Sequence, residues 1–272
     1  MRAEDVPRLV REARAPSLTA ALLSTHTDGH VREAATEVLA TIADPDVGYP
    51  FLLIRCADWV ENVRELAVVA VTRASATVSE RTLLECAVLF ERLSEPGSRG
   101  WNDAARIRRL ALRRVGDNAL FDGLRDPDLH LRHAFARAIV ERGRATEALD
   151  PALEQSDLVT ALIIGRAALA SKDDSERQRH LEAMLGSRYT ALAGEAAWSL
   201  VREPANDPRL VQRLLTDARR PVRSVAQRAA SECGIDVADF YRSRITSSVA
   251  RDRRDRGVRN VRRHGARRSL PH

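Results

Sequence analysis

Residues 58–71 read DWVENVRELAVVAV. Val63, Leu66, Ala67, Ala70 and Val71 fall at i, i+3, i+4, i+7 and i+8. That spacing is the apolar stripe of a helix buried along one face. Asp58 stands just before the stripe, and Arg64 follows its first apolar residue. An acid, a turn, an apolar start and an arginine form a local pattern that can be sought along the rest of the chain.

The pattern recurs. Its starts are Val31, Val63, Ile107, Leu131, Ala161, Ala193 and Val222, spaced by 32, 44, 24, 30, 32 and 29 residues. A period of about thirty marks stacked helical repeats. Asp28 and Arg32 flank the first start, Asp103 and Arg108 the third, Asp128 and Arg132 the fourth, and Asp217 and Arg223 the seventh. The fifth and sixth copies lack the arginine, and Arg114 interrupts the stripe of the third. The position four after each start is mostly alanine, with Phe135 and Gly165 as exceptions. Further helices are expected over 18–23, 49–56, 81–93, 119–124, 146–153, 175–185 and 208–215. Each unit is then a helix, a tight turn and a template helix. One such pair cannot bury its apolar face alone, so neighbours must stack.

The turn acid, the arginine and the following alanine resemble the HEAT repeat family, in the short bacterial form called PBS-lyase-like repeats. The resemblance covers roughly residues 15–232. It implies an all-α, right-handed α-solenoid of about seven helical hairpins over residues 1–241. In such repeats the arginine bonds the turn acid of a neighbouring unit. Asp28, Arg32, Asp58, Arg64, Arg108, Asp128, Arg132, Asp217 and Arg223 are therefore expected to form a structural ladder. Paired charges of this kind set register more than they add stability.

Composition narrows the function classes. The longest plainly apolar run, Leu66 to Val71, is far short of the ~20 residues a membrane span needs. The amino-terminal stretch MRAEDVPRLVREAR has no apolar signal-peptide core. Cys56, Cys86 and Cys233 are widely spaced and give no metal pattern, which suits a reduced cytoplasm. The chain carries +6 overall, but residues 242–272 hold eleven arginines against Asp252 and Asp255, a formal +9. Residues 1–241 are therefore at −3. The tail lacks sustained apolar spacing, which argues for disorder. Arg251, Arg253, Arg254, Arg256, Arg259, Arg262, Arg263, Arg267 and Arg268 would attract nucleic acid with little sequence preference.

Catalytic signatures are thin. His26 and His30, and His130 and His133, are paired at helical spacing, but each pair lacks further ligands converging on it. No His-Glu dipeptide occurs, which argues against the di-iron hydroxylases that share HEAT repeats. A second enzyme group with such repeats, the alkylpurine DNA glycosylases, sets Trp and Asp against damaged DNA. Trp101, Asp103 and Trp198 are the matching candidates here. Against them stand the acidic repeat region and the 4% aromatic content. The leading expectation is a non-catalytic cytoplasmic scaffold with no cofactor and no metal. It binds another protein along its concave face, using Trp59, Glu37, Glu65, Glu141 and Gln227. The alternative is a nucleic-acid-associated protein anchored by the tail.

Overall fold

The computed structural model describes residues 1–41, 44–170, 173–202 and 207–246. Among these, every regular element is a helix. The chain groups into two compact units, Met1–Ser171 and Lys172–His272. In sequence that boundary is only part of a polar turn, SKDDSE.

In the first unit a 3-10 turn (Ala3–Asp5) leads into α1 (Val6–Glu12), α2 (Pro16–Leu23), α3 (Gly29–Thr41), α4 (Pro45–Arg55) and α5 (Glu61–Ala74). Then follow α6 (Glu80–Glu85), α7 (Ala87–Leu93), α8 (Trp101–Leu112), α9 (Asp117–Gly123), α10 (Leu129–Glu141), α11 (Ala145–Gln155) and α12 (Leu158–Ala168). The second unit has α13 (Asp174–Gly186), α14 (Thr190–Arg202), α15 (Pro208–Leu215) and α16 (Arg220–Ala230), and residues 237–246 are again helical.

The seven template stretches are α3, α5, α8, α10, α12, α14 and α16. Two of them, α10 and α12, are capped by aspartates, as are the intervening helices α4, α13 and α15. Asp128, Asp157, Asp173 and Asp207 accept backbone N–H groups at helix N-termini, and Asp44 does so before Pro45. These bonds satisfy donors that have no partner within the helix. Val63, Ala67, Ala70 and Val71 are buried, whereas Leu66 is half-buried and its equivalent Leu110 is exposed. In these two helices the i+3 position sits at the edge of the packed stripe, whereas its equivalents Ala134, Ile164 and Ala196 are buried.

Within the first unit, α2 packs on α3, α4 on α5, α7 on α8, α9 on α10 and α11 on α12. Successive template helices also pack, α3 on α5, α5 on α8 and α10 on α12. The step from α8 to α10 differs, because α10 packs on α7 instead. The expected helix over 81–93 is broken at Cys86, where the backbone opens to ψ 0°. The bend lets α6 and α7 both lie on α4. Tyr49 is fully buried there, edge-on to Phe90, with its hydroxyl 2.8 Å from Ser75 Oγ. That partner is needed because a buried hydroxyl without one is costly.

The alanine exception Phe135 has a local explanation. A Cβ on Gly123 of α9 would fall within the Phe135 ring. The large residue on α10 fits because its neighbour is a glycine. In the second unit α13 and α16 pack on α14, and α15 packs on α16. Tyr241 closes that unit by donating its hydroxyl hydrogen to the Leu215 carbonyl at 2.9 Å.

Candidate functional site

The best-organised surface constellation is the turn before α5. Arg32 on α3 donates from Nε and Nη2 to the two oxygens of Asp58, at 2.9 and 3.0 Å. Its Nη1 donates to the His26 and Thr27 carbonyls. Asp58 also accepts from Arg55 Nη1 at 2.8 Å and from the Val60 N–H at 2.9 Å. Burial pushes the Asp58 carboxyl upward, but the Arg32 and Val60 hydrogen bonds and the charges of Arg32 and Arg55 hold it below its ordinary value. The Trp59 ring lies with the Arg32 guanidinium 5.3 Å from its centroid. Trp59 is nevertheless 67% exposed, while Arg32 is only 3% exposed. An outward-facing indole is therefore backed by a fixed charge.

A second copy of the device joins α10 to the turn before α12. Arg132 Nε donates to Asp157 at 2.9 Å, and its Nη1 donates to the Asp126 and Pro127 carbonyls. His133 Nε2 lies 3.1 Å from the other Asp157 oxygen. The remaining ladder candidates do other things. Arg64 Nη1 bonds the Asp58 carbonyl of its own turn, and Arg223 bonds the Asp217 and Ala218 carbonyls of its own turn. Where Arg64 would meet the next turn acid, Gly100 at φ 72° backs onto the Cys56 carbonyl. Asp28 and Asp128 accept the N–H groups of His30 and His130. Asp217 is held by Arg219.

Arg108 departs furthest from the ladder. It points to carboxylates from two other helices, Glu91 on α7 and Glu141 on α10, each at 2.5 Å. Glu91 also accepts from Arg137 at 2.8 Å. Burial favours a neutral Arg108, yet the Glu141 hydrogen bond and the Glu91 charge raise its pKa. The network bridges α8 and α10, and a cleft of about 690 Å³ opens beside it. Glu141, expected to face a partner, is exposed but already ion-paired with Arg108. Glu91 has no counterpart in the repeat pattern, so nothing in the sequence marks it.

Glu37, Glu65 and Gln227 are exposed. Glu37 borders a shallow groove between α3 and α5 with Leu66, Val69 and Arg73. Trp101 opens α8, and Asp103 pairs with Arg106 at 3.6 Å. Trp198 is 40% exposed on α14, with Arg202 5.0 Å from its ring. Trp101 and Asp103 belong to the first unit and Trp198 to the second, so no one unit holds all three. Burial, joined by the nearby Asp103 charge, pushes the Cys56 thiol up to about 12, and burial does the same to Cys86. Neither is a nucleophile at neutral pH. Among the described residues no group of three or more His, Cys, Asp or Glu is placed to hold a metal ion. No helix among them is long and apolar enough to cross a membrane. The tail arginines from Arg251 to Arg268 lie outside the described residues.

Comparison with family models and with curated proteins gives no match. Among solved structures, an engineered protein aligns over 82% of this chain and 97% of its own, at 17% identity and a TM-score of 0.29. A likeness at that level carries no argument.

Proposed function

We propose that each unit is a stack of HEAT-like hairpins and that the protein is a non-catalytic scaffold binding another protein. The template helices supply the binding face, and Trp59 is its anchor. The observation that carries this reading is the mounting of Trp59. Two-thirds of its surface is open, yet Arg32 behind it is locked by Asp58 and two carbonyls. A large aromatic held in place loses little freedom on binding, which is the property of interface hot spots. Exposed Glu37, Glu65 and Gln227 suit a polar rim. A reducing compartment, the cytoplasm, suits the unpaired Cys56, Cys86 and Cys233.

The test is affinity capture from source lysate with the full chain, a 1–241 truncation and Trp59→Ala, each with and without nuclease. The scaffold reading expects one protein partner held by the full chain and the truncation, resistant to nuclease and lost in Trp59→Ala. Capture that depends wholly on residues 242–272 and vanishes with nuclease points instead to nucleic acid. The +9 charge of those residues is what favours that second reading.

A further inference from the structure

The cleft between α8 and α10 has a charge arrangement that its own neighbours leave incomplete. Arg108 is closed off by Glu91 and Glu141. Arg142 is tied to Asp117 and to the Leu112 and Val115 carbonyls. Two other cations on the cleft wall, Arg109 and Arg113, are exposed and make no ion pair among the described residues. They lie four residues apart, so they sit one above the other near the end of α8. On the same wall the Ser94 hydroxyl is shut away from solvent with no hydrogen-bond partner. A buried hydroxyl left in that state is unfavourable unless something arrives to satisfy it. Glu95 is the one cleft acid without an ion pair among the described residues, so the unpaired groups are net positive.

We propose that this cleft docks an acidic peptide segment of a partner protein. Two carboxylates one helical turn apart meet Arg109 and Arg113, whose guanidinium forks bind carboxylates in paired hydrogen bonds. The Ser94 hydroxyl, shut away from solvent in the free protein, meets an acceptor of the same segment after its side chain rotates toward the cleft. Leu112 supplies an apolar floor for the methylenes of the acidic side chains. The cleft is open to solvent rather than an enclosed cavity, so a segment can enter it. The Arg108 network ties the two walls together, so the width of the cleft is set before the segment arrives. This inference rests on the scaffold reading and names the chemistry of one partner element.

The direct experiment is fluorescence anisotropy of a fluorescein-labelled decaglutamate peptide against the full chain. Three variants are compared with it: R109E/R113E, Ser94→Ala, and a truncation after residue 241. The proposal expects the double charge reversal to weaken binding by at least about tenfold. Both side chains are exposed, so the thermal midpoint should fall only slightly, by the effect of acids at the C-terminal end of α8. Ser94→Ala should weaken binding while leaving the midpoint unchanged or higher, a combination that a purely structural serine does not produce. Binding that survives R109E/R113E and disappears with the truncation overturns the proposal, because the basic tail was then the receptor. Absence of binding by the full chain overturns it as well. The scaffold reading can fail separately. Partner capture lost in Trp59→Ala but kept in R109E/R113E overturns the cleft and leaves the scaffold. Capture that is wholly nuclease-sensitive overturns the scaffold.

Discussion

Arg32 and Asp58 form a two-pronged ion pair across successive repeats, at 2.9 and 3.0 Å, with both side chains almost fully withdrawn from water. Removing one partner leaves the other charge buried. Breaking a pair of this kind costs about 3–5 kcal/mol, whereas replacing both partners by apolar residues of similar size is often close to neutral. Asp58→Asn should therefore lower the urea midpoint sharply. The double variant R32M/D58L should recover much of the loss. Equal destabilisation in the single and double variants would show that packing, not charge, is decisive here.

The same carboxylates set the acid limit of the fold. Asp58 and Asp157 are held below the ordinary value of 3.8, Asp157 far below it. For Asp157 too, burial acts upward and is outweighed by the Arg132, Thr160 and His133 hydrogen bonds. A carboxyl whose pKa is depressed by folding stabilises fully above its unfolded value. That contribution is lost as pH falls through the folded value, because the unfolded chain binds the proton first. Stability should thus fall steeply as pH drops below about 3.8. Chemical denaturation across that range should show a shallower fall in Asp157→Asn than in the parent.

Gly123 and Phe135 predict a reversal of the usual rule. Alanine for glycine in a helix ordinarily stabilises by about 1 kcal/mol. Here the added methyl would run into the Phe135 ring, which is 3% exposed. Gly123→Ala should instead destabilise by about 1–3 kcal/mol, the usual cost of overpacking. Thermal unfolding of G123A and of G123A/F135L checks this, since the smaller ring-free side chain should relieve the clash.

Arg114 looks like a fault in the apolar stripe of α8, and leucine would mend the pattern. In the structure its Nη1 donates to the Ser75 and Val78 carbonyls just beyond α5, at 2.7 and 2.8 Å. Arg142 does the same for the Leu112 and Val115 carbonyls at the C-terminal end of α8 and just past it. Such carbonyls have no partner within their own helix. Arg114→Leu should cost about 1–2 kcal/mol despite improving the pattern. Hydrogen exchange would place the loss in the last turn of α5. A more stable variant would mean that the stripe outweighs the cap.

Much of the fold was legible because helix formation and one-sided burial leave a local mark. The apolar spacing falls on seven helices, and aspartates cap the starts of two of them, α10 and α12. Arg32 meets Asp58 and Arg132 meets Asp157 across neighbouring turns, while Arg108 reaches Glu91 and Glu141 instead. Glu141 is exposed and at the same time engaged by an arginine 33 residues away, a meeting that no local pattern encodes.

The chain by itself determined that this protein is all-helical, because a period of 3.6 residues and a capping aspartate act within one helix. Only the tertiary structure decided where the long charged side chains go. An arginine reaches several ångströms from its backbone, and its partner is selected by which helices lie within that reach. The cleft beside Arg108 and the backing of Trp59 both follow from such meetings between segments that are distant in sequence.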